Sequence, residues 1–324
     1  MAIWQRSAMK TTWLAGCFFS LASALCYGAD AGVVTILDGN ARILRGATWY
    51  KVVEGARLQD GDLIEASDRA QVQLELATGP IVNFVGPAAL LTVTPGSREG
   101  GKPAPAELYL PQGWLKLAVK PAGATLRVRT GFGALSSADA VAVVHAANDV
   151  IEVFVETGNA RMYDPGKSGG DGAAHDVPSG DFALRAADRP FATAGAAPQK
   201  FVAGLPRHFR DPLPSRAAQY QVVRVQLAAD RPISYAEAEP WLTGPYRRTF
   251  IKRLQPRLTD PEFRAPVMAK LQAYPEWQAV LVPAETASKD KAEPPKAEPS
   301  KTEPPKAPEK AEPKFRWPFG GDKK

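Results

Sequence analysis

Short runs of alternating apolar and polar residues dominate the chain between residues 32 and 130. The clearest run is Gln-Val-Gln-Leu-Glu-Leu at residues 71–76. Successive side chains of a β-strand point to opposite faces, so this run predicts a strand with one face in solvent and the other on a core. Comparable runs predict strands at residues 33–37, 41–45, 81–85, 90–93, 108–110, 114–119 and 125–130. Short strands at this spacing favour a mainly β fold: a sandwich, a barrel or a coiled β stack.

Turn residues separate these runs. Asp38-Gly39-Asn40 is typical of a tight hairpin, and Gly61-Asp62, between apolar residues, predicts a second tight connection. Residues 164–176 are glycine-rich and polar, which predicts a mobile loop. We therefore place a β domain at residues 32–190 and a Pro/Arg-rich linker with a possible strand at residues 191–233.

From Ser234 the pattern changes to a helical period. Ser234 and Glu237 have the spacing of a capping box, in which each side chain binds the backbone N–H of the other residue. Asp260 precedes a further run whose apolar residues, Phe263, Val267 and Leu271, recur every four positions. These signals predict a small α-helical module at residues 234–284.

Residues 285–324 are of low complexity. A five-residue repeat of Lys, Glu and Pro begins at Lys291 and continues to about residue 310. Because the repeat offers almost no apolar side chain for a core, we expect a disordered, extended tail of polyproline II character. Three aromatic residues follow it, Phe315, Trp317 and Phe319. Exposed aromatic side chains are costly unless they dock, so these three are candidate partner-binding residues.

The first 31 residues have the organisation of an export signal. Basic residues precede an apolar, uncharged run at residues 11–27, and Ala29 and Ala31 offer two cleavage sites. The alternatives are an uncleaved anchor and a lipoprotein attached through Cys17, and Met9 is a second candidate start. Both cysteines of the chain lie in this segment, so the exported part would fold without disulfides. We expect a periplasmic or secreted protein.

An ordered set of positions resembles the FecR-like domain family. Its central element is Gly55-x-x-Leu58-x-x-Gly61-Asp62-x-Ile64, followed by Leu74-x-Leu76-x-x-Gly79. Other positions that match in order and spacing are Gly32-Val33, Arg45-Gly46, Ala70 and Val85-Gly86-Pro87. The resemblance covers residues 32–130 best and implies that domain's fold. The positions that we take as its signature are Gly55, Leu58, Gly61, Asp62 and Gly79.

The resemblance also bears on signalling. The best-known FecR-like proteins relay a periplasmic signal to a sigma factor through a cytoplasmic segment that precedes a membrane span. Here about ten residues precede the apolar run, too few for a folded domain. The resemblance therefore implies the exported domain without the anti-sigma segment.

Charge and motifs favour binding over catalysis. The chain has 40 Lys and Arg against 34 Asp and Glu, a formal charge of +6, which suits anionic envelope polymers or lipid headgroups rather than nucleic acid. His145, His175 and His208 lack metal-ligand spacing, and no nucleophile elbow occurs, so we predict no metal, cofactor or enzyme activity. The helical module carries a second set of candidate partner-binding residues: Arg247, Arg248, Lys252, Arg253 and Arg257.

The sequence thus favours a non-catalytic cell-envelope protein that binds, senses or acts as a scaffold. Its predicted partner is an envelope protein or an anionic envelope polymer, with peripheral membrane contact through the tail. The alternative is a regulatory component that acts through a separate transmembrane signalling partner. A hydrolase of envelope polymers is a remote alternative, because paired carboxylates can come from distant segments.

Overall fold

A computed structural model describes residues 30–93, 105–120, 125–147, 149–166, 170–187 and 189–281. This part is mainly β with a C-terminal helical segment, as the sequence predicts. The strands are β1 (Asp30–Asp38), β2 (Ala41–Arg45), β3 (Thr48–Lys51), β4 (Arg57–Gln59), β5 (Leu63–Ala66), β6 (Gln71–Leu76), β7 (Ile81–Val85), β8 (Ala88–Val93), β9 (Ala106–Tyr109), β10 (Gly113–Val119), β11 (Leu126–Thr130), β12 (Gly133–Ala147), β13 (Val150–Pro165), β14 (Asp171–Pro178), β15 (Phe182–Ala186), β16 (Arg189–Ala194) and β17 (Ala229–Pro232). The helices are α1 (Gln199–Gly204), α2 (Tyr235–Thr243), α3 (Arg247–Leu254), α4 (Pro261–Ala269) and α5 (Pro275–Leu281).

Strand pairing connects the described strands into a sheet that folds over on itself in two layers. The first layer follows the order β4-β1-β6-β7-β10-β12-β13-β15-β16. The second follows β17-β3-β2-β5-β8-β9-β11-β12-β13-β14. The long strands β12 and β13 belong to both, since the first half of β12 pairs with β11 and its second half with β10. One connected sheet, rather than two separate ones, therefore supplies both layers.

Alternation along each strand decides which side chains lie between the layers. Apolar residues of both layers share one buried cluster, among them Val34, Ile43, Leu58, Ile64, Val72, Leu90, Leu117 and Val128. The alternate positions of the second layer point away from this core and join a second cluster with the helices, among them Leu44, Trp49, Leu63, Leu91 and Tyr109. The helices α2–α5 therefore cover the outer face of the second layer.

Local capping signals place these helices as the sequence predicts. Ser234 and Glu237 form both halves of the capping box that starts α2. The Asp260 carboxylate accepts the N–H of Glu262 at the start of α4. The fully buried Trp277 of α5 donates its indole N–H to the carbonyl of Ile251 at 3.0 Å, which joins α5 to α3.

The prediction that β6 keeps one face in solvent is wrong, because all six of its residues are buried. Residues 197–221, called the strap below, cross this outer face of the first layer. Glu75 accepts hydrogen bonds from the Ser215 hydroxyl at 2.8 Å and from the backbone N–H of Ala217 at 3.0 Å. Gln73 donates to the carbonyl of Pro214 at 2.9 Å. The polar residues of β6 do lie on its outer face, but they contact the strap instead of solvent.

Lys116 on β10 holds the middle of the strap. Its side chain is 1% exposed, and its ammonium group donates to the carbonyls of Phe209 at 2.7 Å and Asp211 at 3.1 Å. Glu156 completes its surroundings at 2.9 Å. A buried cation is stable only when it is paired and fully hydrogen-bonded, and the strap supplies two of its three acceptors.

The prediction of a mobile loop at residues 164–176 is also wrong for its described part. Strand β13 continues to Pro165, and β14 pairs with it from Asp171 to Pro178. His175 stacks on Phe191 with ring centroids 4.0 Å apart. Glycine disfavours strands, yet this segment forms one because it pairs with β13.

We predict that Lys116→Met destabilises the protein by about 3 kcal/mol, since it leaves Glu156 and two strap carbonyls without their buried donor. Urea unfolding measures this change. Lys120→Met, at the exposed position that follows the same strand, should change stability by less than about 0.5 kcal/mol. Equal stability of the two variants would contradict the role given to Lys116.

Candidate functional site

Two cavities meet where the helices lie on the second layer. The first has a volume of about 480 Å³, and the second about 460 Å³. Both are lined by Tyr109, Pro245 and Tyr246, so they lie on either side of one aromatic ridge. We call the combined depression the aromatic groove. The first cavity also contacts Pro111, Gln112, Pro240 and Trp241, and the second also contacts Glu107, Arg129, Asp164 and Asp171.

The ridge is built from aromatic side chains of two distant segments. Tyr109 at the end of β9 lies 4.9 Å from Tyr246, centroid to centroid, with the rings tilted by 57°. Trp241 of α2 approaches Tyr109 edge-on at 6.3 Å. Trp241 in turn stacks on Phe250 of α3 at 5.2 Å. Each ring is therefore fixed by another ring, so the groove is formed before any ligand arrives.

The turn between α2 and α3 places two of the lining residues. Gly244 has extended backbone angles and ends α2, and Tyr246 precedes α3. The sequence predicts this break from Gly244-Pro245. It does not predict the groove, because Tyr109 lies more than one hundred residues earlier and no periodic signal links the two segments.

A series of hydrogen bonds and ion pairs holds the side chains that line the second cavity. The Tyr246 hydroxyl donates to Oε1 of Glu107 at 2.9 Å, and Nε of Arg129 donates to the same oxygen at 3.0 Å. Arg129 also pairs with Asp171 at 3.1 Å. Burial, with the nearby charge of Glu107, raises the pKa of Tyr246, so its phenol stays protonated and keeps donating at neutral pH.

A second ionic network closes the opposite end of the groove. Arg42 on β2 donates to Oε2 of Glu65 at 2.7 Å and pairs with Glu237 of α2 at 2.8 Å. Arg231 on β17 binds Glu237 through two nitrogens at 2.8 and 2.7 Å. The hydrogen bond from Arg231 lowers the pKa of Glu237 well below its usual range. This network joins α2 to three strands.

Arg253, a candidate partner-binding residue, instead holds the helices to the sheet. Its guanidinium donates to the carbonyls of Gly46 at 2.6 Å and Gly61 at 2.5 Å, and also to that of Leu44. Burial lowers the pKa of Arg253 to about 10, so it remains charged at neutral pH. The nearby carboxylate of Asp62 favours that charge.

The turn that receives Arg253 belongs to the proposed family signature. Gly61 has φ +80°, a left-handed conformation that glycine adopts without strain. Asp62 is 1% exposed and accepts from Arg45 at 3.0 and 2.7 Å and from the N–H of Gln59 at 2.8 Å. Leu58 is fully buried, and Gly79 lies in the turn before β7. The signature therefore forms both a core element and the socket for the helices.

The remaining basic candidates divide into two kinds. Arg257 donates to the carbonyl of Ile233 at 3.1 Å, and Arg247 pairs with Glu276 at 2.6 Å. Arg248 and Lys252 are exposed on α3. The tail candidates at residues 315, 317 and 319 and the predicted export signal up to residue 29 lie outside the described residues.

Two of the three histidines, His145 and His175, take part in ring stacking, and His208 is exposed. His145 stacks on Trp114 at 4.0 Å and its Nδ1 lies 2.7 Å from Glu152. Within the described ranges, no three His, Cys, Asp or Glu side chains come together in a way that could hold a metal ion. In the same ranges, every helix is too short or too polar to cross a lipid bilayer.

Comparison with known proteins returns few matches. No protein-family model matches the chain, and no curated protein does. Two crystal structures from Parabacteroides distasonis, each described as a "putative anti-sigma factor", are similar to it at 16% and 15% identity, with TM-scores of 0.35 and 0.36. Each match covers 44% of this chain and 63% or 62% of the other, less than two thirds of its length. The FecR-like resemblance thus stays a prediction.

We predict that Glu237→Gln destabilises the protein by about 1–2 kcal/mol at pH 7 by weakening the network with Arg42 and Arg231. The folded pKa of Glu237 lies below that of the unfolded chain. The carboxylate's contribution is therefore complete above about pH 4.3 and disappears as the pH falls towards the folded value.

Thermal unfolding from pH 7 to pH 3 checks this. The difference in Tm between the wild type and Glu237→Gln should shrink below about pH 4.3. Glu262→Gln, at an exposed position on α4, is the matched control and should show a small difference throughout. A gap for Glu237→Gln that stays constant over the whole range would contradict the assignment.

Proposed function

We propose that this chain is a non-catalytic binding protein of the cell envelope that holds an extended ligand in the aromatic groove. The observation that carries the proposal is the pair of adjoining cavities that share Tyr109, Pro245 and Tyr246. Binding sites are concave and mostly apolar, with a few fixed polar groups that orient the ligand. A depression on both sides of a ridge suits an elongated ligand better than a compact one.

The polar groups of the groove support binding rather than hydrolysis. A general acid needs a pKa raised towards neutrality. Glu237 has its pKa lowered by Arg231 instead, and Glu107 accepts from both Tyr246 and Arg129. Carboxylates held in this way can orient a ligand as hydrogen-bond acceptors. The alternative of a regulatory component stays a prediction from the resemblance.

The proposal includes export to the periplasm or the medium. Strand β1 begins at Asp30, and the carbonyl of Ala31 accepts the N–H of Ala77. A cut after Ala31 would remove Asp30 and Ala31 from β1, whereas a cut after Ala29 would keep both. We therefore favour the site after Ala29, which N-terminal sequencing of the exported protein tests.

We predict that Ala89→Phe weakens ligand binding at least tenfold, because the new ring would enter the first cavity while the ridge stays in place. The probes are purified peptidoglycan fragments, lipopolysaccharide and a proline-rich peptide, each titrated against the full chain by interferometry. Ala192→Phe, at an exposed position of β16, is the matched control and should bind like the wild type. Binding of no probe, or equal binding by Ala89→Phe, would refute the groove as the site.

A separate contact with anionic surfaces is proposed for the exposed pair on α3. Each basic residue near an anionic membrane contributes about 1 kcal/mol at low salt. Arg248→Gln combined with Lys252→Gln should therefore weaken binding to vesicles of equal parts phosphatidylglycerol and phosphatidylcholine about thirtyfold. Sedimentation with the vesicles measures this.

The matched control for that pair makes the same change of charge in the strap, as Arg207→Gln combined with Arg210→Gln. Both residues are exposed and lie on the other layer's face. If the two double variants lose vesicle binding equally, overall charge rather than α3 drives the contact. If neither loses it, the basic pair has no such role.

A further inference from the structure

We propose that the occupant of the aromatic groove is a segment of the same chain, residues 301–308, with the sequence Lys-Thr-Glu-Pro-Pro-Lys-Ala-Pro. This inference rests on the proposed function, because it names the ligand class of the same groove: a proline-rich segment in the polyproline II conformation. Within the segment, Pro305 and Pro308 have the spacing P-x-x-P. Aromatic grooves of other peptide-binding domains recognise this spacing.

The shape of the groove fits such a segment. Polyproline II has three residues per turn and rises about 3.1 Å per residue, so Pro305 and Pro308 project from the same edge, about 9 Å apart. One proline can then lie in each cavity with the ridge of Tyr109 and Tyr246 between them. Proline rings pack on aromatic faces, and proline-rich sequences of this kind in general lose little conformational entropy on binding.

The charges fit as well. Each end of the groove carries one negative and one positive side chain. These are Glu237 and Arg42 at one end and Glu107 and Arg129 at the other. The segment also carries both positive and negative charge, since Glu303 precedes the pair Pro305 and Pro308 and Lys306 lies between them. A groove whose own charges are paired gives little attraction to a purely anionic or purely cationic polymer. It suits a segment of balanced charge.

The described part of the chain ends close to the groove. Helix α5 ends at Leu281, and its Glu276 pairs with Arg247, the residue after Tyr246 of the ridge. Nineteen residues separate Leu281 from Lys301, enough to span up to about 65 Å. A ligand tethered at this range has an effective concentration in the millimolar range, so even a weak interaction would fill the groove.

Occupancy by its own segment would make the chain an intramolecular competitor. A ligand from outside would bind with its affinity reduced by the fraction of grooves that the segment already fills. Only a ligand of higher affinity, or one at high local concentration in the envelope, would then displace it.

Zero-length carboxyl–amine cross-linking of the full chain tests the placement. We expect mass spectrometry to find Lys301 or Lys306 joined to Glu65, Glu107 or Glu237. Pro305→Ala combined with Pro308→Ala keeps every reacting group and should lower these cross-links at least fivefold. Pro294→Ala combined with Pro295→Ala makes the matched change in the first repeat and should leave them within twofold of wild type. Equal yields in both variants would overturn the proposal.

A second measurement separates this inference from the proposed function. A synthetic peptide of residues 301–309 is titrated against the full chain carrying Pro305→Ala and Pro308→Ala, with and without Ala89→Phe. Saturable binding that Ala89→Phe weakens tenfold supports both ideas. If the peptide fails to bind while a peptidoglycan fragment binds and is lost in Ala89→Phe, the groove is a glycan site and the inference is wrong. If neither probe binds, both proposals fail.

Discussion

The contact between Arg253 and the turns of the second layer holds the rest of the arrangement together. One guanidinium on α3 satisfies three carbonyls, those of Leu44, Gly46 and Gly61. Removing such a cation from water is costly, and fixed carbonyls with a neighbouring carboxylate offset that cost only when the geometry is exact. The contact therefore sets the position of α3, and with it the turn that carries Tyr246 to the ridge. The shape of the groove therefore depends on this contact.

The same kind of contact recurs where the strap crosses the first layer. Lys116 binds the carbonyls of Phe209 and Asp211, and Glu75 binds the N–H groups of the strap. At Gly55, which has φ +84°, a side chain would press on the Tyr220 ring of the strap. Charged groups that bind backbone can hold a segment of almost any sequence. In the described part, which contains no cysteine, they connect the covering segments to the sheet.

Much of the fold follows from local rules in the sequence, while the site does not. The strand at residues 71–76 is predicted by alternation, and the start of α2 by Ser234 and Glu237, because each signal lies within one element. The cover over β6 could not be predicted, since alternation marks a polar face without saying what lies on it. Arg253 likewise has the pattern of a solvated helix residue. Its burial depends on Gly61, almost two hundred residues earlier, and the contact of Tyr109 with Tyr246 depends on the same long-range fit.

The buried and the exposed faces of α3 make different kinds of contact. On the inward face, Phe250 packs in the core and Arg253 binds the sheet, whereas Arg248 and Lys252 are exposed. Within the groove, carboxylates and guanidinium groups already pair with each other, so the binding proposed there would rest on ring packing and shape, which salt screens little. The exposed pair has the opposite property, since its attraction to an anionic surface falls with ionic strength. Under the proposed function, one short helix would therefore contribute to both selective binding in the groove and attachment to an anionic surface, and the two contacts would respond differently to ionic strength.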